Sequence, residues 1–178
     1  MTEDANVASD NSNAGDRLFE TRRSKLGQIV ASQGTAYPLN VRRTHLAADA
    51  IDLTDDDPPS EVTVAGRVIA LRRMGKTSFL VLRDGSGDVQ LFLNQTSMGR
   101  PAYQNMLDVL DVGDFVSANG DMFRTRTQEP SVRVKQLTVA AKALRPLPDK
   151  WHGLQDNETR FRQRYLDILS NQDVRNRF

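Results

Sequence analysis

Two side chains suited to nucleobase recognition share one side of a predicted β-hairpin. Strand-like runs at 77–83 and 87–93 flank a tight turn, Asp84-Gly85-Ser86-Gly87. Side chains alternate across a strand, so Phe79 and Gln90 lie on one face. The opposite face is aliphatic and consists of Leu80, Leu82, Val89, Leu91 and Leu93. An aromatic ring can stack on a base, and an amide offers both a donor and an acceptor to a base edge.

Arg67 is a third candidate for the same surface. It alternates out of phase with Val64 and Val68, and a guanidinium can donate to base carbonyls or to phosphate. Each residue also has a simpler explanation: a buried core ring for Phe79, and solvent exposure for Gln90 and Arg67. The convergence of three positions on one face favours a nucleic-acid-binding surface.

No residue pattern indicates catalysis. The chain has no GxxxxGK[ST] or GxGxxG motif, and no spacing supports a Ser-His-Asp or paired-carboxylate site. The run 72–76, RRMGK, is predicted to be a loop after a strand, because no helix follows it as in a phosphate-binding loop. The chain has no cysteine, and its two histidines, His45 and His152, are far apart. We therefore expect no disulfide, metal or redox chemistry.

The elements that position the candidate residues are five strands and a helix. The predicted order is strands at 61–73, 77–83 and 87–93, a helix at 99–110, and strands at 114–125 and 131–144. Gly66 is predicted to mark a bulge or bend in the first strand. This order is that of an OB-fold, a five-stranded, partly open barrel with a helix between strands three and four. The sequence therefore predicts a mainly β fold with helical extensions.

Segments of different character flank the predicted barrel, which occupies residues 61–145. Residues 1–16 are acidic and polar, and we predict disorder there. A helical extension is predicted over 17–60, with its first helix capped by Asp16 and ended by Gly34. That helix has an apolar side of Leu18, Leu26, Ile29 and Val30 and a polar side of Arg17, Arg22, Arg23 and Lys25. Residues 146–178 are predicted to be a linker and a helical segment from 157 to 169 that lacks a packing partner, as in a chain cut before a further domain.

Composition indicates a cytoplasmic protein. The 178 residues carry a formal net charge of +1, and the mean hydropathy is −0.53. No apolar run could span a bilayer, and the N-terminus lacks the pattern of a signal peptide. Residues 61–145 carry twelve Lys and Arg against eight Asp and Glu, an excess of four positive charges. This excess suits a nucleic-acid-binding surface or a solvated charged surface.

Three stretches of the chain resemble one protein family. The stretch VAGRVIALRRMGKTSFLVLRDGSGDVQLFL resembles the anticodon-binding OB-fold of class IIb aminoacyl-tRNA synthetases, those for lysine, aspartate and asparagine. ALRPLPDKWHGLQDNETRFRQRYLDIL is similar to the linker that leads into the catalytic domain of bacterial-type lysyl-tRNA synthetases. RRSKLGQIVASQGTAYPLNVRRTH is similar to the N-terminal helix of that family. The resemblance covers residues 22–178 and implies recognition of a lysine tRNA.

The resemblance also implies roles for individual residues. Phe79 is expected to stack on the central uridine of the anticodon, Arg67 to contact it and Gln90 to read its edge. Glu129 is expected to help read a neighbouring base, in a loop with Gln128 and Pro130 where the family usually has Gly and Leu. We expect this loop to be reshaped. Independently of the resemblance, we expect electrostatic attraction to the RNA backbone from Arg72, Arg73, Lys76, Arg124 and Arg126.

The resemblance ends before the three class II motifs that bind ATP, lysine and the acceptor end of the tRNA. The chain alone is therefore expected to be inactive and to need no cofactor, since ATP and magnesium would be bound by the full-length enzyme. Two alternatives remain: a free-standing OB module that binds single strands without anticodon preference, and a non-catalytic remnant that pairs with an intact synthetase. The second predicts a homodimer or mixed dimer through the N-terminal region and residues 155–178. No membrane partner is expected.

Overall fold

The computed structural model describes the backbone of residues 3–146 and 156–178, with side chains described from residue 15 onward. The chain divides into two compact units, Met1–Leu144 and Arg145–Phe178. The helices of the first unit are α1 (Glu3–Gln33), α2 (Ala47–Asp52), α3 (Gln95–Met98) and α4 (Arg100–Val109). Its strands are β1 (Glu61–Met74), β2 (Thr77–Arg83), β3 (Asp88–Asn94), β4 (Phe115–Arg124) and β5 (Pro130–Ala141). The second unit contains α5 (Asn157–Arg162), α6 (Arg164–Ser170) and α7 (Gln172–Arg177).

The five strands form one sheet that closes into a ring in the order β1-β2-β3-β5-β4. All pairings are antiparallel except the short parallel pairing of β3 with β5. The long β1 makes closure possible because one half of it pairs with β4 and the other half with β2. The strand order, with a helix before the fourth strand, confirms the predicted OB-fold.

The core of the ring is the aliphatic face that the alternation predicted. The five hairpin residues of that face, Leu80, Leu82, Val89, Leu91 and Leu93, are all almost completely buried. Burying each aliphatic side chain contributes about 1.5–3 kcal/mol, so a one-residue slip of the hairpin would be costly. Tyr103 of α4 is also fully buried, and its hydroxyl lies 2.8 Å from the hydroxyl of Ser78. The hydrophobic pattern thus fixes which face of the hairpin remains outside.

The bulge in β1 lies after Val68 and not at Gly66. The register with β2 shifts between Val68 and Ala70, so the intervening Ile69 is the additional residue. Gly66 has a different role, because a Cβ there would overlap the carbonyl oxygen of Arg83. The bulge changes the alternation, and side chains with even numbers point inward before it and outward after it.

Helix α1 begins at Glu3, whereas the sequence predicted disorder to residue 16 and a helix from Arg17. No proline interrupts residues 3–33, so nothing forces a break where the composition changes. Asp16 is therefore inside the helix and is not an N-cap. The predicted stop is confirmed, since Gly34 has a left-handed φ of 79° and donates to the Val30 carbonyl.

The face that α1 turns to the barrel includes two basic residues that were predicted to lie on its polar side. Arg22 is buried and donates to the carbonyls of Ala143 and Val112. Lys25 donates to Asp111 at 2.7 Å. By contrast, Leu18 and Val30, two of the predicted apolar residues, are exposed. The surface that faces α1 contains carbonyl and carboxylate oxygens, which are acceptors. Arginine and lysine fit this face of the helix because their side chains are donors.

A buried ionic cluster joins α1, the turn before β4 and the end of β5. The Lys142 ammonium is fully buried and bonds Asp114 at 2.8 Å, Asp111, and the Val109 carbonyl at 2.8 Å. Asp114 is fully buried too and accepts the backbone N–H groups of Asp111 and Ala143. Every charge in the cluster therefore has a partner, which a buried charge requires.

We expect the buried ionic cluster to stabilise the protein less in acid than at neutral pH. Burial raises the pKa of Asp111, but the hydrogen bonds and charges of Lys142 and Lys25 outweigh it and hold the pKa below the usual value. A lowered folded-state pKa stabilises the protein above the unfolded pKa of about 4, and this stabilisation disappears as the pH falls through the folded pKa. Urea unfolding should show Asp111→Asn to be less stable than the wild type at pH 7, with the difference shrinking below about pH 4. The exposed Asp52→Asn is the control, and a pH-independent difference would contradict the prediction.

The C-terminal unit is helical, but its predicted single helix is interrupted. Gln163, with φ −118° and ψ 53°, separates α5 from α6. Asp167 is buried and accepts from Arg160 at 3.2 Å and from Arg164 at 2.7 Å. Residues 147–155 lie outside the described part of the chain, and with them most of the predicted linker and His152.

Candidate nucleic-acid interface

Three aromatic rings form a row across the outer face of the sheet. The centroids of Phe79 and Phe92 are 5.2 Å apart, and those of Phe92 and Phe123 are 5.6 Å apart. The Arg133 guanidinium lies 4.4 Å from the Phe123 centroid and ends the row. Strands β2, β3 and β4 each contribute one ring, and these spacings are typical of favourable aromatic pairs. A continuous apolar platform thus lies outside the core.

An open pocket of about 460 Å³ lies over this platform. Its wall combines aromatic rings with polar and basic side chains: Ala70, Arg72, Met74, Phe79, Val81, Gln90, Phe92, Phe123, Thr125, Arg126 and Thr127. The volume lies in the range of small-molecule sites. Rings for stacking next to donors for base edges or phosphates are the components of a single-strand binding site.

Phe79 and Gln90 both line the pocket, as the hairpin alternation predicted. Phe79 pairs across the strands with Phe92, and Gln90 pairs with Val81. The Gln90 amide oxygen accepts a hydrogen bond from the Ser131 hydroxyl at 3.0 Å. Sequence reasoning missed Ser131 because the β3–β5 pairing that brings it to Gln90 is long-range.

Arg67 does not line this pocket. It pairs with Arg83, whereas Phe79 pairs with Arg72, and four residues of β2 correspond to ~13 Å. The Arg67 guanidinium donates to the Gly113 carbonyl at 3.0 Å and lies 4.3 Å from the Phe115 centroid. Burial lowers its pKa. Arg67 thus links β1 to the turn before β4 and to the first residue of β4.

Arg72 is the guanidinium that the structure brings to Phe79. The bulge in β1 turns Ala70, Arg72 and Met74 to the outer face, and Arg72 lies directly opposite Phe79 in the register. From the sequence, Arg72 is assigned to the RNA backbone by its charge, together with Arg73 and Lys76, and is not placed beside Phe79. The only signal in the sequence for an arginine beside Phe79 was the pair Arg72-Arg73 before Met74. Simple alternation along β1, without the bulge at Ile69, would have placed Arg73 on the outer face instead of Arg72.

Residues 62–140 match the tRNA anticodon-binding family model, described as an OB-fold nucleic acid binding domain. The match extends from the start of β1 to the end of β5 and includes the pocket. This barrel is an OB-fold nucleic-acid-binding domain. The chain is homologous to the N-terminal part of lysine–tRNA ligase.

Lysine–tRNA ligases from several bacteria are similar to the OB domain and its flanking helices. The chain is 42% identical to the lysine–tRNA ligase of Dehalococcoides mccartyi over 167 residues, which are 90% of this chain and 33% of the relative. It is 43% identical to that of Laribacter hongkongensis over 169 residues, or 91% of this chain and 33% of the relative. For Yersinia enterocolitica the identity is 41% over 167 residues, with shares of 90% and 33%. The chain spans about a third of the length of these relatives.

The other basic side chains assigned to the RNA backbone differ in whether they are exposed or already hydrogen-bonded within the protein. Arg126 lines the pocket of the OB domain and is exposed, and Lys76 is exposed in the turn between β1 and β2. Arg73 donates to the Leu107 carbonyl of α4. Arg124 forms a two-hydrogen-bond ion pair with Asp55, and this hydrogen bonding lowers the pKa of Asp55. Arg126 and Lys76 are therefore the cations most available to phosphate.

The β4–β5 loop of the OB domain has a left-handed backbone position that is occupied by Gln128 and not by a glycine. Gln128 has φ 66°, and among the described residues it is the one non-glycine residue with positive φ. The turn is closed by hydrogen bonds between Thr125 and Glu129 in both directions, and Arg124 donates to the Gln128 carbonyl. Glu129 is exposed and does not line the pocket, and Pro130 begins β5. The glycine usual at position 128 in the resembling family suits this left-handed backbone.

Replacing Gln128 with glycine is expected to stabilise the OB domain. A side chain in the left-handed region costs roughly 1–2 kcal/mol, and the extra freedom of glycine in the unfolded chain offsets part of the gain. Urea unfolding should show an increase of up to about 1 kcal/mol. Gln136→Gly, in the exposed interior of β5, is the control and should instead destabilise by about 0.5–1 kcal/mol. A loss of stability in Gln128→Gly would contradict the inferred strain.

Among the described residues, no three His, Cys, Asp or Glu side chains cluster as ligands of a metal ion. No helix in the described part of the chain is both long and apolar enough to cross a membrane.

Proposed function

We propose that this chain is the anticodon-binding part of a lysine–tRNA ligase, and that its pocket binds the central uridine of a lysine anticodon. The observation that carries the proposal is the meeting of Phe79, Gln90 and Arg72 on one wall of an open pocket. The family match over 62–140 and the similarity to lysine–tRNA ligases support the choice of a tRNA as ligand.

Each side chain of this wall has a separate task. The Phe79 ring offers its face to the base, and Phe92 supports that ring from the side. Gln90 and Arg72 offer donors to the base edge. Arg72 takes the role that the family resemblance gave to Arg67, because Arg67 is engaged with Gly113 and Phe115 outside the pocket.

Electrostatic attraction is expected to hold the RNA backbone beside the pocket. Arg126 lines the pocket and is exposed, Lys76 is exposed in the turn that follows the lining residue Met74, and Glu129 remains a candidate for a neighbouring base. Binding should weaken with salt, with log K falling by about 0.7 per phosphate neutralised for each tenfold rise in salt.

The proposal is tested with anticodon stem-loops that differ only in the central base. Fluorescence anisotropy at 50 and 200 mM salt should give tighter binding to the central uridine than to a central cytidine, by about tenfold. The salt slope should be the same for both stem-loops, because the phosphates are identical. Equal affinities at both salt concentrations would remove the anticodon-specific proposal and favour the OB module that binds single strands without preference.

We also propose that this chain works in the cytoplasm and performs no aminoacylation by itself. Binding of ATP and magnesium is assigned to the remaining two thirds of a full-length ligase.

Association with a second chain is proposed through the C-terminal unit, where Phe161, Tyr165 and Phe178 are exposed. Light scattering of the chain alone and mixed with an intact ligase tests this, and a strict monomer in both samples would contradict it.

A further inference from the structure

A buried serine hydrogen-bonds the side-chain amide that lines the pocket. Ser131 is fully buried at the start of β5 and pairs with Gln90 in the parallel β3–β5 register. Its hydroxyl donates to the Gln90 amide oxygen at 3.0 Å, while the Glu129 carbonyl lies at 3.2 Å. A hydroxyl has a single proton, and the nearer of its two acceptors is the Gln90 oxygen.

This hydrogen bond decides which end of the amide the ligand meets. The terminal torsion of glutamine has two nearly equivalent states that exchange the oxygen and the nitrogen. With the oxygen held by Ser131, the NH₂ group remains for the pocket that Gln90 lines. The pocket therefore presents a hydrogen-bond donor at this point.

A fixed donor distinguishes two pyrimidines of equal size. Uracil carries a carbonyl oxygen at position 4, which accepts a hydrogen bond, and cytosine carries an amino group there, which donates. A donor facing a donor leaves both groups unpaired, and an unpaired buried polar group costs more than a hydrogen bond gains. A freely turning amide could satisfy either base.

We propose that Ser131 is a positioning residue that makes the pocket select uracil over cytosine by holding the Gln90 amide in one orientation. The proposal rests on the proposed function, since it concerns the base that this pocket takes. It adds a residue that does not itself touch the base and lies on a strand distant in sequence from the hairpin.

Ser131→Ala is the deciding variant, because it removes one oxygen atom and creates no steric overlap. Dissociation constants are measured for stem-loops with central uridine and central cytidine. We expect the ratio of the two affinities to fall about fivefold in Ser131→Ala, through weaker binding of uridine and stronger binding of cytidine. Ser131→Thr keeps the hydroxyl and should keep the wild-type ratio if it folds. A purely structural role would weaken both stem-loops equally and leave the ratio unchanged.

The outcomes separate this inference from the proposed function. If the wild type prefers uridine and Ser131→Ala keeps the full preference, the positioning role is overturned and the proposed function stands. If the wild type shows no preference, the anticodon-specific function fails and the inference fails with it. A collapse of the ratio in Ser131→Ala with retained stability supports both.

Discussion

Replacing Lys142 with methionine is expected to lower the free energy of unfolding by about 3–5 kcal/mol. The substitution keeps most of the apolar volume but leaves Asp114, which is fully buried, without its ammonium partner. Urea unfolding followed by circular dichroism measures the loss. A loss this large would consume much of the 5–15 kcal/mol that stabilises a typical domain.

Lys135→Met is the matched control for this variant. Lys135 also bonds two carboxylates, Glu61 at 3.2 Å and Asp121 at 2.7 Å, but its side chain is 42% exposed whereas that of Lys142 is 0% exposed. We expect the control to lose no more than about 1 kcal/mol. The double variant Lys142→Met with Asp114→Asn should recover part of the loss, because it removes the uncompensated charge. Equal effects of the two lysine variants would show that burial of the cluster does not determine its contribution.

Replacing Phe79 with alanine is expected to weaken binding of a lysine-type anticodon stem-loop by about 1–3 kcal/mol, or roughly 5- to 150-fold in Kd. The loss reflects removal of the ring on which the base stacks, at the end of the row formed with Phe92 and Phe123. The salt dependence should stay the same, because no phosphate contact is removed. Anisotropy titrations at two salt concentrations measure both quantities.

Phe161→Ala is the control for Phe79→Ala, because Phe161 is 74% exposed and belongs to the C-terminal unit. It should leave Kd unchanged. Arg126→Ala should behave in a third way, with weaker binding to all stem-loops and a smaller salt slope. If Phe79→Ala binds like the wild type, the aromatic row is not the base platform.

The hairpin could be interpreted from the sequence because its signals are local. Alternation of five aliphatic residues over two strands leaves one arrangement that buries them all, and Phe79 and Gln90 then have to lie outside. The turn residues 84–87 likewise specify the antiparallel pairing of β2 with β3. Both features require only neighbours within the same twenty residues.

The partners of α1 could not be predicted in the same way. Arg22 and Lys25 look like a solvated helix face, but in the structure they bind the carbonyls of Val112 and Ala143 and the carboxylate of Asp111. These acceptors lie about ninety residues or more away in the sequence. Amphipathic periodicity contains no information about polar groups that another element supplies.

The sequence by itself determined that this chain forms an OB-fold ring with an aromatic ring and an amide on its outer face, because hydrophobic alternation dictates strand faces through local geometry. Only the tertiary structure decided which arginine joins them. The single extra residue Ile69 turns Arg72 toward Phe79. Closure of the sheet between β1 and β4 brings Arg67 into contact with Gly113 and Phe115. Only the β3–β5 pairing brings Ser131 to Gln90. The position of a bulge and the pairing of distant strands depend on the whole closed sheet. The residues that shape the pocket therefore could not be predicted from local sequence patterns.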